Sequence, residues 1–437
     1  MKEHTVYCLS LGCSKNTADS EKMAALLREA GYEIVPEPED AEVCLINTCG
    51  FIEAAVTENI SEILEAAELK AKGSIKRIVV VGCLVNRYGE ESLRRDIPEV
   101  DSWCRTENGQ YDAIIRAVTG HGGPIPECAR RLALPGSMRH VRYLKISDGC
   151  DNRCSYCAIP SIRGSLRSVP IKEIVAEAED LVSDGAVEIC LVAQDLTAYG
   201  SDRGREEGLI ELIDALECSL PRDVWLRPLY LQPKGVTRAL LERIAAGRQV
   251  LPYLDIPIQH ASPKILSAMN RPSDADALLD IFLTARKILP DFALRTTCML
   301  GFPGESRKDV AQLMRFLRTA RIDRVGAFMF SPEEGTAAAD MPEQVPEKTK
   351  IARLERLMTA QREISLMRQG SLLWRTLDVV VDDVLPDGTV EGRSFREAPD
   401  VDGVIEIQGA KNVRAGDRIR ARVNGVFEHD MLAEYVP

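Results

Sequence analysis

Three cysteines lie close together near the middle of the sequence. Cys150, Cys154 and Cys157 are spaced C-x3-C-x2-C in the segment ISDGCDNRCSYCAIPSIRG. A tight loop with thiolates at these steps can wrap one iron-sulfur cluster, and a cubane held by three thiolates keeps one iron open for a ligand. Zinc is the alternative metal, but a zinc site normally has a fourth Cys or His nearby, and this loop has none. The spacing therefore favours iron and leaves zinc open.

A second set of three cysteines, Cys13, Cys49 and Cys83, follows no local motif. Each of them comes directly after an apolar run that predicts a strand, namely TVYCLSLG, EVCLINT and RIVVVG. The carboxyl ends of neighbouring parallel strands meet at the crevice of a doubly wound sheet, so we expect these three thiols to lie together. Buried structural thiols or a redox pair are the alternatives. The remaining cysteines lack ligand spacing, and we interpret them as structural.

The elements that position these cysteines follow from the pattern of apolar runs. Residues 1–120 alternate strand-like and helix-like segments, which predicts an α/β domain with a doubly wound parallel sheet. Residues 121–137 are rich in Gly and Pro and predict a linker. Residues 138–370 repeat the strand-helix unit six times, which suggests an incomplete (βα) barrel. Residues 371–437 carry short strands separated by Asp-Gly and Asn-Gly pairs, as in a small antiparallel β-barrel.

Length, charge and hydropathy exclude several classes of protein. The chain has 437 residues, with 55 basic and 67 acidic side chains and a formal charge of -12. This balance argues against a protein that binds nucleic acid mainly by neutralising phosphates. The longest apolar run, Ile78 to Val85, is far shorter than the roughly 20 residues of a membrane span. The N-terminus shows no export segment, so we expect a cytoplasmic protein with reduced cysteines.

The cysteine motifs resemble those of known enzymes. The C-x3-C-x2-C loop after the strand-like run VRYLKIS is similar to the signature of the radical S-adenosylmethionine superfamily. Together, SLGCSKNTADSE, NTCGFIEAA, VVVGCLVNRY and GCDNRCSYCAIPSIRG resemble the methylthiotransferase family over nearly the whole chain. This resemblance implies an N-terminal flavodoxin-like domain, a central radical SAM barrel and a C-terminal TRAM domain that docks substrate. It also implies two 4Fe-4S clusters, one on each set of three cysteines, and S-adenosylmethionine as cofactor.

Further motifs resemble the branch of this family that modifies ribosomal protein uS12: VAQDLTAYG, DIPIQHASPKILSAMNRP, GFPGES and GRSFREAPDVDGVIEI. The resemblance implies conversion of an aspartate β-carbon C-H bond to C-S-CH3. One S-adenosylmethionine would donate the methyl group and another the 5'-deoxyadenosyl radical, with a reductant such as flavodoxin or ferredoxin. A tRNA methylthiotransferase is the near alternative, and a non-catalytic, metal-stabilised RNA- or ribosome-binding protein is the third. Residues 371–437 hold eight basic and thirteen acidic residues, a charge of -5 that suits a basic protein substrate better than RNA.

The resemblance also suggests contacts to S-adenosylmethionine at the ends of barrel strands. The candidates are Tyr156, Gln194, Gln259, Gly301 and Gly304. Each has a simpler structural alternative: the tyrosine could pack, the glutamines could satisfy backbone groups, and the glycines could shape a turn.

Three further polar residues each allow two interpretations, one functional and one structural. Arg163 and Arg167 follow the cluster loop and could bind a carboxylate or form a solvated basic turn. His260 fits either hydrogen-bonded support or active-site polarity. No catalytic acid or base is identified by the sequence.

Overall fold

The computed structural model describes residues 4–106, 110–120, 129–204, 208–272 and 274–437. The chain divides into two compact units. The first comprises Met1–Asn152, Cys157–Asp184 and Val192–Gln194, and the second comprises Arg153–Tyr156, Gly185–Leu191 and Asp195–Pro437. Within the described residues, no helix is both long and apolar enough to cross a membrane.

The first unit contains a five-stranded parallel sheet. Its strands are β1 (Thr5–Ser10), β2 (Glu33–Val35), β3 (Val43–Thr48), β4 (Arg77–Gly82) and β5 (Ser102–Cys104). They are arranged in the order β2-β1-β3-β4-β5, and every neighbouring pair is parallel. The order reverses between β1 and β3, which is where doubly wound sheets bind ligands. The doubly wound sheet predicted from the sequence is confirmed.

Helices cover both faces of this sheet. They are α1 (Ser14–Glu29), α2 (Glu53–Ala71), α3 (Cys83–Tyr88), α4 (Glu90–Asp96) and α5 (Asp112–Thr119). Successive residues of a strand point to opposite faces. Accordingly, Leu45 belongs to a core with Met23 of α1 and Ile114 of α5, whereas Ile46 belongs to a core with Ile63 of α2. The sheet is therefore buried on both sides, and its polar groups are left to the strand ends.

The first unit continues beyond the sheet with a linker and five short elements. Of the predicted linker, residues 121–128 lie outside the described residues, and residues 129–137 form neither helix nor strand. In this stretch Arg131 is buried and pairs with Glu21 at 2.7 Å and Glu177 at 2.5 Å. The elements that follow are β6 (Val141–Lys145), β7 (Ser147–Asp148), α6 (Ile159–Arg163), β8 (Arg167–Ser168) and α7 (Ile171–Ser183).

The second unit begins with alternating strands and helices. They are β9 (Glu188–Val192), α8 (Gly208–Ser219), β10 (Trp225–Pro228), α9 (Arg238–Ala246), β11 (Tyr253–Asp255), α10 (Pro263–Ala268), α11 (Ala275–Ile288), β12 (Ala293–Leu300), α12 (Arg307–Ala320), β13 (Arg324–Met329) and α13 (Glu347–Gly370). Strands β9 and β10 pair in parallel, as do β11 with β12 and β12 with β13. Counting β6, six strands alternate with helices along the chain, as the sequence predicted.

A closed five-stranded barrel ends the chain. Its strands are β14 (Thr376–Val384), β15 (Val390–Arg393), β16 (Ile405–Gln408), β17 (Arg418–Val426) and β18 (Met431–Val436), in the order β14-β15-β16-β18-β17. The small barrel is confirmed, but it is not wholly antiparallel, since β16 and β18 run parallel. Strand direction cannot alternate around a closed ring with an odd number of strands, so one parallel pair is unavoidable.

Candidate functional site

The first candidate site consists of Cys13, Cys49 and Cys83, called the auxiliary trio below. Cys13 is the N-cap of α1 just beyond β1, Cys49 follows β3 directly, and Cys83 is the first residue of α3 after β4. All three therefore lie at carboxyl ends of neighbouring strands, where the sequence placed them. Their role as metal ligands stays a prediction.

Two glycines show how closely the three loops approach. A Cβ atom built on Gly12 would lie 2.5 Å from Cβ and 3.1 Å from Sγ of Cys49. A Cβ atom on Gly50 would lie 2.7 Å from the backbone carbonyl carbon and oxygen of Cys83. Contacts this short are forbidden for any larger residue. The loops that carry Cys13, Cys49 and Cys83 thus meet with room for glycine only.

Asparagine side chains fix the backbone of these loops. Asn59 of α2 accepts a hydrogen bond from the Cys49 N-H at 3.1 Å and donates to its carbonyl at 2.9 Å. Asn16 donates to the carbonyls of Leu11 at 2.8 Å and Thr48 at 3.0 Å. Sequence analysis missed both residues, although Asn16 lies three positions from Cys13 and this spacing could have served as a signal; Asn59, ten positions from Cys49, offers none. They hold two strand ends in one arrangement.

Arg163 supplies a buried positive charge to the auxiliary trio. Its Nε donates to Sγ of Cys83 at 3.1 Å, and its Nη1 donates to Asp19 at 3.1 Å and Asp148 at 3.3 Å. The solvated turn considered for this residue is wrong, because the side chain is only 4% exposed. The carboxylates that it binds belong to the chain itself.

The three thiols have different affinities for protons. Burial raises the pKa of Cys49 to about 11, and it raises the pKa of Cys83 although Arg163 opposes this. Burial acts in the same direction on Cys13, but Lys15 and the backbone N-H of Asn16 outweigh it and lower the pKa of that thiol. Thiolate-metal sites form with release of thiol protons, and the raised pKa values of Cys49 and Cys83 oppose that release at these two thiols.

The loop cysteines, Cys150, Cys154 and Cys157, divide between the two units. In the first unit, the Cys150 N-H donates to the Gly164 carbonyl at 3.0 Å, next to Arg163. Ala158, which follows Cys157 directly, packs with Ile162 against Cys83. The segment after the loop therefore lies against the auxiliary trio.

In the second unit, Arg271 contacts two residues of the cluster loop. Its Nη1 donates to the Tyr156 hydroxyl at 3.2 Å and lies 3.9 Å from Sγ of Cys154. The ring of Tyr156 packs against an apolar cluster that includes Met269 and Phe302. These contacts explain Tyr156 as a packed residue, and its contact to S-adenosylmethionine stays a prediction. Sequence analysis did not single out Arg271.

The two candidate glutamines have buried side-chain oxygens without a partner among the described residues. In the first unit Gln194 donates its amide to Asp148 at 3.1 Å, while its Oε1 accepts no hydrogen bond. In the second unit Gln259 has a φ of 67°, a rare value for a residue with a side chain, and its Oε1 is likewise unpaired. Buried acceptors and strained backbone are both features that a ligand would explain.

The predicted glycine turn is held by protein groups. Gly301 has a φ of 76°, and its N-H donates to Glu305 at 2.9 Å. A Cβ on Gly301 would lie 2.3 Å from Cγ of Lys350, so close packing by itself explains a glycine at this position. Gly304 donates its N-H to the carbonyl of Glu343 at 3.0 Å.

His260 accepts hydrogen bonds at Nδ1 from the backbone N-H groups of Ala261 and Ser262, which supports its interpretation as a structural residue.

The donor sets also bear on which metal could fit. Among the described residues, no group of three or more His, Cys, Asp and Glu side chains is gathered closely enough to hold a single ion. A zinc ion binds its ligands at about 2.0–2.3 Å and needs such a group, whereas an iron-sulfur core attaches each thiolate to a different iron. The Oγ atoms of Ser10 and Ser14, which flank Cys13, are buried and unpaired in this part of the structure. Three thiols on closely approaching loops, with unpaired polar atoms beside them, fit an inorganic core that attaches each thiolate to a different iron.

Known proteins match nearly the whole chain. Residues 5–105 match the model of the uncharacterized protein family UPF0004, residues 144–317 match the radical SAM superfamily, and residues 375–436 match the TRAM domain. Ribosomal protein uS12 methylthiotransferases RimO from Anaeromyxobacter sp. (strain Fw109-5) and Geobacter sulfurreducens are both 40% identical to the chain. The matches cover 99% of this chain and 93% and 98% of those proteins. The chain belongs to the uS12 methylthiotransferase family.

As a family member, the chain is a radical SAM methylthiotransferase and an enzyme, as predicted. Solved structures support the fold. The radical SAM methyltransferase TsrM from Kitasatospora setae is 12% identical, with a TM-score of 0.54 over 75% of each chain. OxsB, a cobalamin-dependent radical enzyme, is 11% identical, with a TM-score of 0.53 over 82% of this chain and 56% of its own. The predicted fold class is confirmed.

Proposed function

We propose that the chain methylthiolates an aspartate of ribosomal protein uS12, converting its β-carbon C-H bond to C-S-CH3. The observation that carries this proposal is 40% identity, over nearly the full length, to proteins named ribosomal protein uS12 methylthiotransferase. The β-carbon is too weakly acidic for an ordinary base at pH 7, so the hydrogen must be removed by a radical. When bound, the clusters and two S-adenosylmethionine molecules supply that radical and the methylthio group.

We further propose that each set of three cysteines holds one iron-sulfur cluster. Cys150, Cys154 and Cys157 would hold the 4Fe-4S cluster that binds S-adenosylmethionine, and the auxiliary trio would hold a second one. Support comes from the close approach of the three strand-end loops at Gly12 and Gly50, and from the packing of Ala158 against Cys83. Tyr156, Gln194, Gln259, Gly301 and Gly304 remain proposed contacts to S-adenosylmethionine. The unpaired oxygens of the two glutamines favour those two over the glycines.

We also propose the domain bounds 1–120, 138–370 and 371–437, because each matched family model lies inside one of them. The partners would be uS12 and a cytoplasmic low-potential reductant such as flavodoxin or ferredoxin. The C-terminal barrel, with a charge of -5, suits a basic ribosomal protein.

Mass spectrometry of uS12 and of digested tRNA tests the substrate. Cells with and without the gene are compared, and a strain that carries Cys49→Ala serves as matched control. We expect a methylthio group on one uS12 aspartate only with the intact gene. A tRNA change with unmodified uS12 would assign the activity to the tRNA-directed class instead.

Metal analysis after anaerobic purification tests the two clusters. About eight irons per chain would fit two cubanes, and one zinc would contradict both clusters.

A further inference from the structure

Arg163 ends helix α6 and is the arginine that contacts the auxiliary trio. Besides the bond from Nε to Cys83, its Nη2 donates to Asn16 at 2.7 Å, and its Nη1 contacts Asp19 and Asp148. All three nitrogens of the guanidinium are therefore engaged. Because the side chain is also buried, the donor to Cys83 is fixed in place.

The surroundings of Arg163 keep its charge permanent and balanced. Lys145 donates to Asp148 at 3.0 Å and also to Asp19, so two cations face two carboxylates. Although burial acts in the opposite direction, Lys145 and Arg163 hold the pKa of Asp19 well below its ordinary value. The Tyr111 hydroxyl donates to Asp19 at 2.8 Å. The cluster of charges is thus a rigid, neutral frame that presents one N-H to Cys83.

We propose that Arg163 raises the reduction potential of the iron-sulfur cluster on the auxiliary trio. This inference rests on the proposed function, which places a cluster there. Reduction adds negative charge to the core and its thiolates, so a fixed cationic donor at one sulfur stabilises the reduced form more than the oxidised form. Arg163 would act on the cluster through Cys83, a proposed ligand, and it is therefore a positioning residue.

The loop cysteines receive a weaker contact of the same kind. Arg271 lies 3.9 Å from Sγ of Cys154, compared with 3.1 Å between Arg163 and Cys83. The other donors of Arg271 serve the Tyr156 hydroxyl, Gln232 and the carbonyl of Pro257. Arg271 therefore provides a matched buried arginine that should leave the auxiliary cluster unchanged.

The test is a potentiometric titration followed by electron paramagnetic resonance. All proteins are full-length and carry Cys154→Ala, so that the auxiliary cluster is observed alone. The decisive variant is Arg163→Met with Asp148→Asn, which removes the donor and keeps the frame neutral. We expect the ratio of reduced to oxidised cluster at a fixed potential to fall about tenfold, which is about 59 mV for one electron. Asp148→Asn alone and Arg271→Met should cause no fall.

Each outcome of this titration decides the proposal. An auxiliary cluster that forms in the double variant with an unchanged potential overturns it. If the double variant loses its iron, Arg163→Lys is decisive: a smaller fall supports the proposal, and an unchanged potential overturns it. Folded protein without iron in both Arg163 variants also overturns it, since the residue would then serve assembly. A parent protein without any auxiliary iron refutes the proposed function itself.

Discussion

Gly50 lies beside the auxiliary trio at a position where a side chain would collide with a neighbouring loop. Gly50 follows Cys49, and the position that its Cβ would occupy lies against the backbone of Cys83. Backbone cannot move aside as the end of a flexible side chain can. Gly50 therefore sets the distance between two of the loops that we propose hold one inorganic core.

Gly50→Ala should separate these loops and weaken metal binding by the auxiliary trio. The extra methyl group should cost about 1–3 kcal/mol of stability through overpacking, and iron should fall from about eight toward about four per chain. Iron analysis and thermal unfolding measure both effects. Gly370→Ala is the control, since nothing lies within 4 Å of its built Cβ. Full iron content in Gly50→Ala would show that the close approach of the two loops at Gly50 is not needed for metal binding.

The two cysteine sets should fail differently when one thiol is removed. Cys154→Ala should abolish both 5'-deoxyadenosine and the methylthio product, because no radical forms. Cys49→Ala should spare cleavage of S-adenosylmethionine and lose sulfur insertion. Chromatography of 5'-deoxyadenosine and mass spectrometry of uS12 measure the two products, and the exposed Cys218→Ala should match wild type in both. Equal loss of both products in the two variants would contradict the division of labour.

At the scale of elements, strand β9 and the C-terminal barrel share a buried carboxylate. Glu188 at the start of β9 is fully buried, pairs with Arg227 of β10 and lies 3.0 Å from Arg393 of β15. Arg393 also pairs with Asp382 of β14 at 2.7 Å. Arg393 lies in the motif GRSFREAPDVDGVIEI, and it joins barrel strands β14 and β15 to β9 through these two ion pairs.

Glu188→Gln should destabilise the second unit strongly. Removing one partner of a buried ion pair leaves charge uncompensated in the interior and typically costs about 3–5 kcal/mol. The measurement is urea unfolding followed by circular dichroism at pH 7. Glu242→Gln breaks the exposed pair with Arg238, in which both side chains are more than half exposed, and should cost at most about 0.5 kcal/mol. Equal effects of the two changes would rule out a buried network.

Sequence patterns predicted elements better than they predicted the contacts between them. Apolar runs followed by Cys13, Cys49 and Cys83 placed these residues at strand ends, because strand-end position is a local property. The contact between Arg163 and Cys83 joins residues 80 positions apart, and that between Arg271 and Cys154 joins residues 117 apart. No periodicity encodes such pairs. The prediction of a wholly antiparallel barrel was wrong for one strand pair, β16 with β18. This parallel pair is forced by the odd number of strands in the closed barrel, which no local sequence pattern reveals.

At the scale of the whole molecule, buried carboxylates connect stability to pH. The chain carries a formal charge of -12, yet several acidic groups lie inside and face arginine or lysine. Burial raises the pKa values of Asp148, Glu177, Glu188 and Asp323, but their cationic partners outweigh it and leave each pKa below its ordinary value. A carboxyl whose folded pKa is depressed stabilises the fold above its unfolded pKa, and this contribution is lost as pH falls.

The stability difference between wild type and Glu188→Gln should therefore shrink in acid. Above about pH 5 the glutamate is ionised in both states, and the full difference of about 3 kcal/mol or more should be seen. As pH falls below about 4, the unfolded chain takes up a proton that the folded chain does not, and wild type alone loses this contribution. Urea midpoints of both proteins at pH 7, 5, 4 and 3 measure the trend. A difference that stayed constant from pH 5 to pH 3 would mean that Glu188 is not held ionised by Arg227 and Arg393.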